Sequence, residues 1–252
     1  MSEINWVTGI NAVLELLKQN PQSAKRILLK RDRGDDRLDA VRKLAIAAEI
    51  ELEELDAEEL YQVCLEVHQG VAVELAGKER DSKRSKWGEF LAGLEGRRAP
   101  PLLLVLDGVT DPHNLGACLR SADAAGVDAV IIPRDNAVRV NATVRRVACG
   151  AAETVDLFAV SNLSRALTQL KERGVWLFGT DDNAETVVYE QDLCGAVAVV
   201  MGSEGSGLRR LTKEKCDFLI GIPMAGAISS LNVSVAAGVV LFEAVRQRRI
   251  HQ

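Results

Sequence analysis

Five short apolar runs punctuate residues 102–252: Leu102–Leu106, Ala129–Ile132, Val175–Phe178, Val197–Met201 and Phe218–Gly221. Runs this short and continuous suit strands buried on both faces. Helical segments are predicted between and after them at Leu115–Ala125, Ala142–Gly150, Leu163–Arg173, Leu208–Lys213 and Ser230–Arg249. The strand-helix alternation predicts an α/β fold with a parallel sheet, whose ligand-binding loops lie at the carboxyl ends of the strands. The last helix ends on Arg246, Arg248 and Arg249, cations that suit the negative pole of a helix.

Residues 1–77 show a different, shorter rhythm. An amphipathic stretch Asn11–Lys18, a strand-like Arg26–Lys30, a helix over Asp36–Glu49 and apolar runs at Ile50–Leu52 and Val71–Leu75 predict a small α/β domain. The run Glu51 to Glu59 places six carboxylates in nine positions and reads as a solvated helix face with its loop. Periodicity then stops, and residues 78–100, with seven Lys/Arg against four Asp/Glu, read as a basic flexible linker ending near the Pro100-Pro101 pair. Its Lys83-Arg84-Ser85-Lys86 cluster suits a soluble tether or a phosphate backbone. Trp87 and Phe90 suit a stacked base or a domain surface equally well. The expected division is 1–77, 78–100 and 101–252.

Composition narrows the class. A net charge of −5 argues against an indiscriminate nucleic-acid coat, which depends on cations meeting phosphates. At 4% aromatic content, base stacking is not expected to dominate recognition. The N-terminus Met1–Trp6 has no basic, apolar leader pattern, and no apolar run approaches the roughly 20 residues of a membrane span, so a cytoplasmic protein without membrane attachment is expected. Five scattered cysteines without a Cys-x-x-Cys pair, and His68 and His113 without spaced partners, suggest neither disulfides nor a metal site.

Three constellations carry candidate chemistry. In Leu106–Arg120, an Asp/Gly/Pro turn follows a strand, Asn114 is placed to begin and cap a helix, and Arg120 lies in the apolar stretch Leu115–Leu119. A guanidinium buried there needs a partner, with Glu204 and a substrate phosphate the candidates. Next, Gly202-Ser203-Glu204-Gly205-Ser206-Gly207 follows a strand but matches neither the dinucleotide nor the nucleoside-triphosphate glycine pattern. Its Glu204 would repel phosphates, so close approach of a ligand with Glu204 turned to a polar group fits better. Last, Ile222-Pro223-Met224 leads through an Ala/Gly loop to Ser229-Ser230-Leu231-Asn232, where Ser230 is placed to cap the final helix and Asn232 to lie on its first turn.

In order and spacing these three segments resemble motifs 1, 2 and 3 of the SPOUT superfamily of knotted RNA methyltransferases, in its TrmH-type ribose 2'-O-methyltransferase branch. The resemblance spans residues 102–252 through N-x-x-A-x-x-R-S, G-S-E-G-x-G and I-P-M with S-L-N-V-S-V-A. Val7–Val13 and His68–Val73 also resemble the substrate-binding domain of members that methylate a guanosine 2'-hydroxyl in the peptidyl-transferase region of bacterial 23S rRNA. What the resemblance implies is a catalytic domain with a deep trefoil knot and an N-terminal domain like the small kink-turn-binding ribosomal proteins. It also implies a homodimer built partly by the final helix, with active sites combining residues of both subunits. S-adenosylmethionine would be held at Gly202, Ile222, Met224 and Leu231, and the catalytic set would be Asn114, Arg120, Glu204, Ser230 and Asn232, with no metal. Within the family Arg120 is the proposed proton acceptor or activator. A guanidinium stays protonated, so a grip on the neighbouring phosphate or the developing alkoxide suits its chemistry better.

The implied partner is 23S rRNA or its assembly intermediate. Alternatives are a transfer-RNA substrate, a non-catalytic RNA-binding protein of the same fold, and a Rossmann-type oxidoreductase. The missing glycine fingerprint disfavours the oxidoreductase, and the intact motif residues disfavour the non-catalytic protein.

Overall fold

The computed structural model describes residues 6–31, 35–64, 69–75 and 87–250. These divide into two compact units, Met1–Ser82 with Val140–Thr154, and Lys83–Arg139 with Val155–Gln252.

In the first unit the elements are β1 (Trp6–Thr8), α1 (Ile10–Gln19), β2 (Ala24–Lys30), α2 (Asp36–Ala47), β3 (Glu51–Leu55), α3 (Ala57–Val63) and β4 (Val71–Leu75). The sheet order is β1-β4-β2-β3, with β1 and β2 antiparallel to β4 and β3 parallel to β2. One face buries Val7, Ile27, Leu29, Val71 and Val73 against apolar residues of α1 and α2, including Val13, Leu16 and Val41. The acidic run is therefore not a helix face with its loop. Its first half pairs as edge strand β3, where half-buried Leu52 and Leu55 lie among exposed glutamates. Its second half starts α3 through a capping box: Asp56 accepts from Glu59 N–H while Glu59 accepts from Asp56 N–H. The two N-terminal motifs meet, since Thr8 pairs with Ala72 and Ile10 N–H donates to Gln69 Oε1 at 3.4 Å; His68 lies outside the described residues. Segment 140–154, which holds α6 (Ala142–Ala148) and α7 (Ala151–Thr154), belongs to this unit.

The second unit contains α4 (Trp87–Gly93), β5 (Leu102–Asp107), α5 (Pro112–Ala124), β6 (Ala129–Pro133), β7 (Asp156–Val160), α8 (Leu163–Lys171), β8 (Trp176–Thr180), β9 (Thr186–Val187), β10 (Val197–Gly202), α9 (Arg210–Lys213), β11 (Phe218–Gly221) and α10 (Val233–Ile250). Its seven strands are ordered β7-β6-β5-β10-β8-β11-β9, and every neighbouring pair is parallel. The chain steps outward from β5 to β7, then crosses over and builds the other half, leaving β10 to fill the gap beside β5. That reversal at β5/β10 is a topological switch point.

Helix α4 lies inside the stretch read as an unstructured linker, and its aromatic residues settle the choice left open for them. Trp87, Phe90 and Phe158 cluster with ring centroids 4.8–5.7 Å apart, and Trp87 Nε1 donates to Gln169. These rings cover the sheet and are not free to stack on a base. The cluster Lys83-Arg84-Ser85-Lys86 lies outside the described residues.

At the far end of α10, Arg248 does more than complement a helix dipole. Its guanidinium donates to the carbonyls of Leu193, Pro100, Pro101 and Gly195 at 2.6–3.1 Å. Four acceptors from two segments are satisfied by one planar fork, a task lysine cannot match.

Candidate active site

Strand β5 delivers the chain into an Asp/Gly/Pro turn, and the cap of α5 is Asp111 rather than Asn114. The Asp111 side chain accepts from His113 N–H with Pro112 at the first helical position, and that bond holds its carboxyl below the ordinary value of 3.8. Asn114 thus falls within the first turn, its side chain free of capping duty. It is 7% exposed, and a buried amide must find partners.

Asn114 finds them on the other two motifs. Its Nδ2 donates to Glu204 Oε1 at 2.8 Å, and its Oδ1 accepts from Asn232 Nδ2 at 3.0 Å. Asn232 Nδ2 also reaches Glu204 Oε1 at 2.5 Å. The orientation of Asn232 is set from α10, because its Oδ1 accepts from Ser234 N–H at 2.9 Å and from Ser234 Oγ at 2.6 Å. Asn232 is therefore the residue that caps α10, and Ser230 stands exposed in the preceding loop. With its oxygen committed to the helix terminus, Asn232 must turn its NH2 group toward Glu204.

Glu204 rides on a loop fixed at its root. Ser203 and Gly207 exchange backbone hydrogen bonds at 3.1 and 3.0 Å, and the Ser203 and Ser206 hydroxyls are 2.6 Å apart. A Cβ at Gly202 would stand 2.1 Å from the Gly207 carbonyl carbon, so only glycine admits the returning chain. Beneath the carboxylate, burial first and Glu204 second push the Cys118 thiol up to about 12, which leaves it protonated and unreactive.

Arg120 is exposed, contrary to the burial that its apolar neighbours suggested. Six residues along α5 set it about 9 Å farther up the helix and about 120° around from Asn114. The three loops thus bring Asn114, Glu204 and Asn232 together, and Arg120 and Ser230 are both exposed. Gly202 lies at the carboxyl end of β10, and Ile222, Met224 and Leu231 lie along the loop that leaves β11. Residues 223–231 make no backbone hydrogen bonds among the described residues. A nine-residue stretch whose backbone groups are not paired within the chain suits a ligand read by main-chain groups. No group of three His, Cys, Asp or Glu among the described residues is arranged to hold a metal.

Sequence reasoning passed over Asp107, Asp111 and Arg209. The signal for Asp111 was Asp-Pro, a cap followed by proline at the first helical position; for Asp107 and Arg209, 102 residues apart, no local signal exists.

A parallel α/β sheet with a polar triad assembled at its switch point from the loops after β5, β10 and β11 defines a ligand-binding enzyme domain. The chain belongs to the SpoU rRNA Methylase family, matched over residues 101–242, and residues 6–80 match the RNA 2'-O ribose methyltransferase substrate binding family. It is 49% identical to the 23S rRNA (guanosine-2'-O-)-methyltransferase RlmB of Pseudomonas putida, with 99% of each chain covered. Identity to the RlmB of Ralstonia nicotianae is 51%, over 99% of this chain and 98% of that one. Among solved structures, an RNA 2'-O ribose methyltransferase superimposes with a TM-score of 0.80 at 29% identity, covering 97% of this chain and 88% of that one. The fold is shared also by the SpoU methyltransferase AviRb from Streptomyces viridochromogenes in complex with AdoMet, at a TM-score of 0.79 and 24% identity over 98% and 91% of the chains.

Proposed function

We propose that this protein transfers the methyl group of S-adenosylmethionine to the ribose 2'-hydroxyl of one guanosine in 23S rRNA. The observation that carries the reading is the hydrogen-bonded triad Asn114–Glu204–Asn232, built from the three motifs at the switch point. Near-full-length identity to relatives that bear this activity in their names supports the substrate. S-adenosylmethionine supplies an electrophilic methyl on a sulfonium, so the protein's work is to hold an oxygen in line with it and to ease loss of its proton.

The chain's own groups divide that work. Main-chain groups near Gly202, Ile222, Met224 and Leu231 bind the cofactor. Both amide bonds converge on Glu204 Oε1, leaving the second oxygen of that carboxylate for a ribose hydroxyl. Arg120 grips the adjacent phosphate or the developing alkoxide, and Ser230 contacts the nucleotide from the loop before α10. The C-terminal segment threads the trefoil knot of the superfamily, and residues 1–77 and the basic stretch 78–100 carry the RNA to residues 101–252.

Two copies complete the site in this reading. Val235 and Phe242, seven residues apart on α10, are about half exposed and share a face, which suits a second copy of the chain packed on that helix. Arg120, exposed on α5, then serves the site of its partner. Sedimentation that gives a monomer at assay concentration would remove the shared site.

Radiolabelled methyl transfer to 23S rRNA lacking natural modification, mapped by resistance to alkaline cleavage, tests the substrate. One protected guanosine is expected; label in transfer RNA alone would overturn the assignment. Arg120→Lys keeps the charge and loses the planar fork, so full activity in that variant would rule out a bidentate grip.

A further inference from the structure

Asp107 ends β5 directly beside Gly202, its register partner on β10, and its carboxylate is completely buried. A buried carboxylate at the floor of a ligand site needs compensation. One source is the backbone of Arg209, whose N–H donates to Oδ2 at 3.1 Å. The other is the Arg209 guanidinium, with Nη1 3.5 Å from Oδ1, which has no hydrogen bond of its own. The pair therefore joins two loops 102 residues apart in sequence.

Gly108 makes this approach possible. At φ +88° it adopts a backbone conformation that side chains disfavour, and a Cβ there would meet Arg209 Nη2 at 3.0 Å. The guanidinium thus lies across the turn that leads to Asn114, with the Arg209 side chain 48% exposed on its outer edge.

The consequence runs through the Glu204 loop. That loop is closed at its base by the mutual Ser203–Gly207 hydrogen bonds, and Leu208 lies against Gly179, whose added Cβ would stand 2.8 Å from it. Its entry is fixed by strand β10 and its exit by Arg209 on Asp107. A loop held at both ends can carry Glu204 to Asn114 and Asn232 without having to be ordered when the ligands arrive, which lowers the entropic cost of binding.

We infer that Asp107 and Arg209 are positioning residues for methyl transfer: their buried contact holds the Gly202–Leu208 loop in the shape that binds S-adenosylmethionine and presents Glu204. This rests on the reading that the cofactor lies against that loop. Asp107→Asn keeps the shape and an acceptor for the Arg209 N–H but removes the charge. Arg209→Gln leaves the backbone donor in place and removes the guanidinium from a half-exposed position.

The full-length protein is used for calorimetric titration with S-adenosylmethionine and for methyl transfer to unmodified 23S rRNA, with circular dichroism confirming the fold. Each variant is expected to weaken cofactor binding about tenfold, the scale of leaving one buried acceptor without its compensating partner. Each should also lower kcat while leaving KM for the RNA unchanged. The double variant should be no worse than either single one, because both break the same contact. Arg209→Lys should restore part of the cofactor affinity. Cofactor affinity and kcat within twofold of wild type in a folded variant would overturn the inference, as would fully additive losses. If Asp107→Asn fails to fold, Arg209→Gln decides alone. Wild-type protein that binds no cofactor would instead sink the proposed function, an outcome distinct from normal wild-type binding with unaffected variants.

Discussion

Asn232 joins two demands in one side chain, with its oxygen capping α10 and its NH2 group holding Glu204 and Asn114. Asn232→Asp separates them. Aspartate caps a helix as well as asparagine does, so thermal stability should stay within about 1 kcal/mol of wild type, whereas a second carboxylate would now face Glu204 and the amide donors would be gone. Methyl transfer is expected to fall about a hundredfold or more; full turnover in the folded variant would remove the NH2 contacts of Asn232 from the chemistry. The cysteines offer a second check at this scale. Cys118 and Cys216 are both pushed up to about 12, chiefly by burial, while Cys149 is exposed. Alkylation near pH 8 should label Cys149 first and leave Cys118 and Cys216 untouched until the protein unfolds. Residue types were legible in the sequence here, and bonding roles were not. Asn114 and Ser230 both look like caps, but Asp111 and Asn232 take those positions, because which of several competent side chains reaches the helix N–H groups depends on where the chain turns.

Among the elements, the buried strands of the large sheet were the easiest to read, since continuous apolar runs such as Leu102–Leu106 and Val197–Met201 have little other use. The edges were harder. Strand β7 mixes Asp156 and exposed Ala159 with its apolar residues, β9 has two residues, and β3 is mostly glutamate. Helix α4 escaped notice because seven residues span two turns, too few to show a period. In the small sheet, Glu74 on β4 is buried yet charged, accepting from Lys25 Nζ at 2.5 Å and Arg26 Nε at 2.6 Å. Those bonds hold its carboxyl below the ordinary 4.5. A depressed folded value means that the stabilisation is complete above the unfolded value and is lost as pH falls through the folded one. Glu74→Gln should cost about 1–3 kcal/mol near neutral pH. The gap from wild type should narrow in denaturant melts below about pH 4.5. A deficit that stays constant across that range would assign the loss to packing rather than charge.

For the whole molecule, strand-helix alternation predicted a parallel sheet but could not supply its order. That β10 returns to lie between β5 and β8 is a tertiary fact, decided by which apolar faces cover one another, and it is this order that carries Glu204 to Asn114 and Asn232. The grouping of residues 140–154 with the N-terminal unit was equally invisible, because those contacts lie far apart in sequence. The motifs nonetheless announced themselves in sequence order, since each occupies the loop after a strand, where a parallel sheet gathers its carboxyl ends. The most direct test of the account is single-turnover methyl transfer from S-adenosylmethionine to unmodified 23S rRNA by Glu204→Gln beside wild type, both at saturating cofactor. Glutamine preserves size and can accept one amide but carries no charge, so the account predicts methylation of a single guanosine by wild type and a loss of about a hundredfold or more in the variant. Equal rates at the same nucleotide would contradict it and remove the triad from the chemistry.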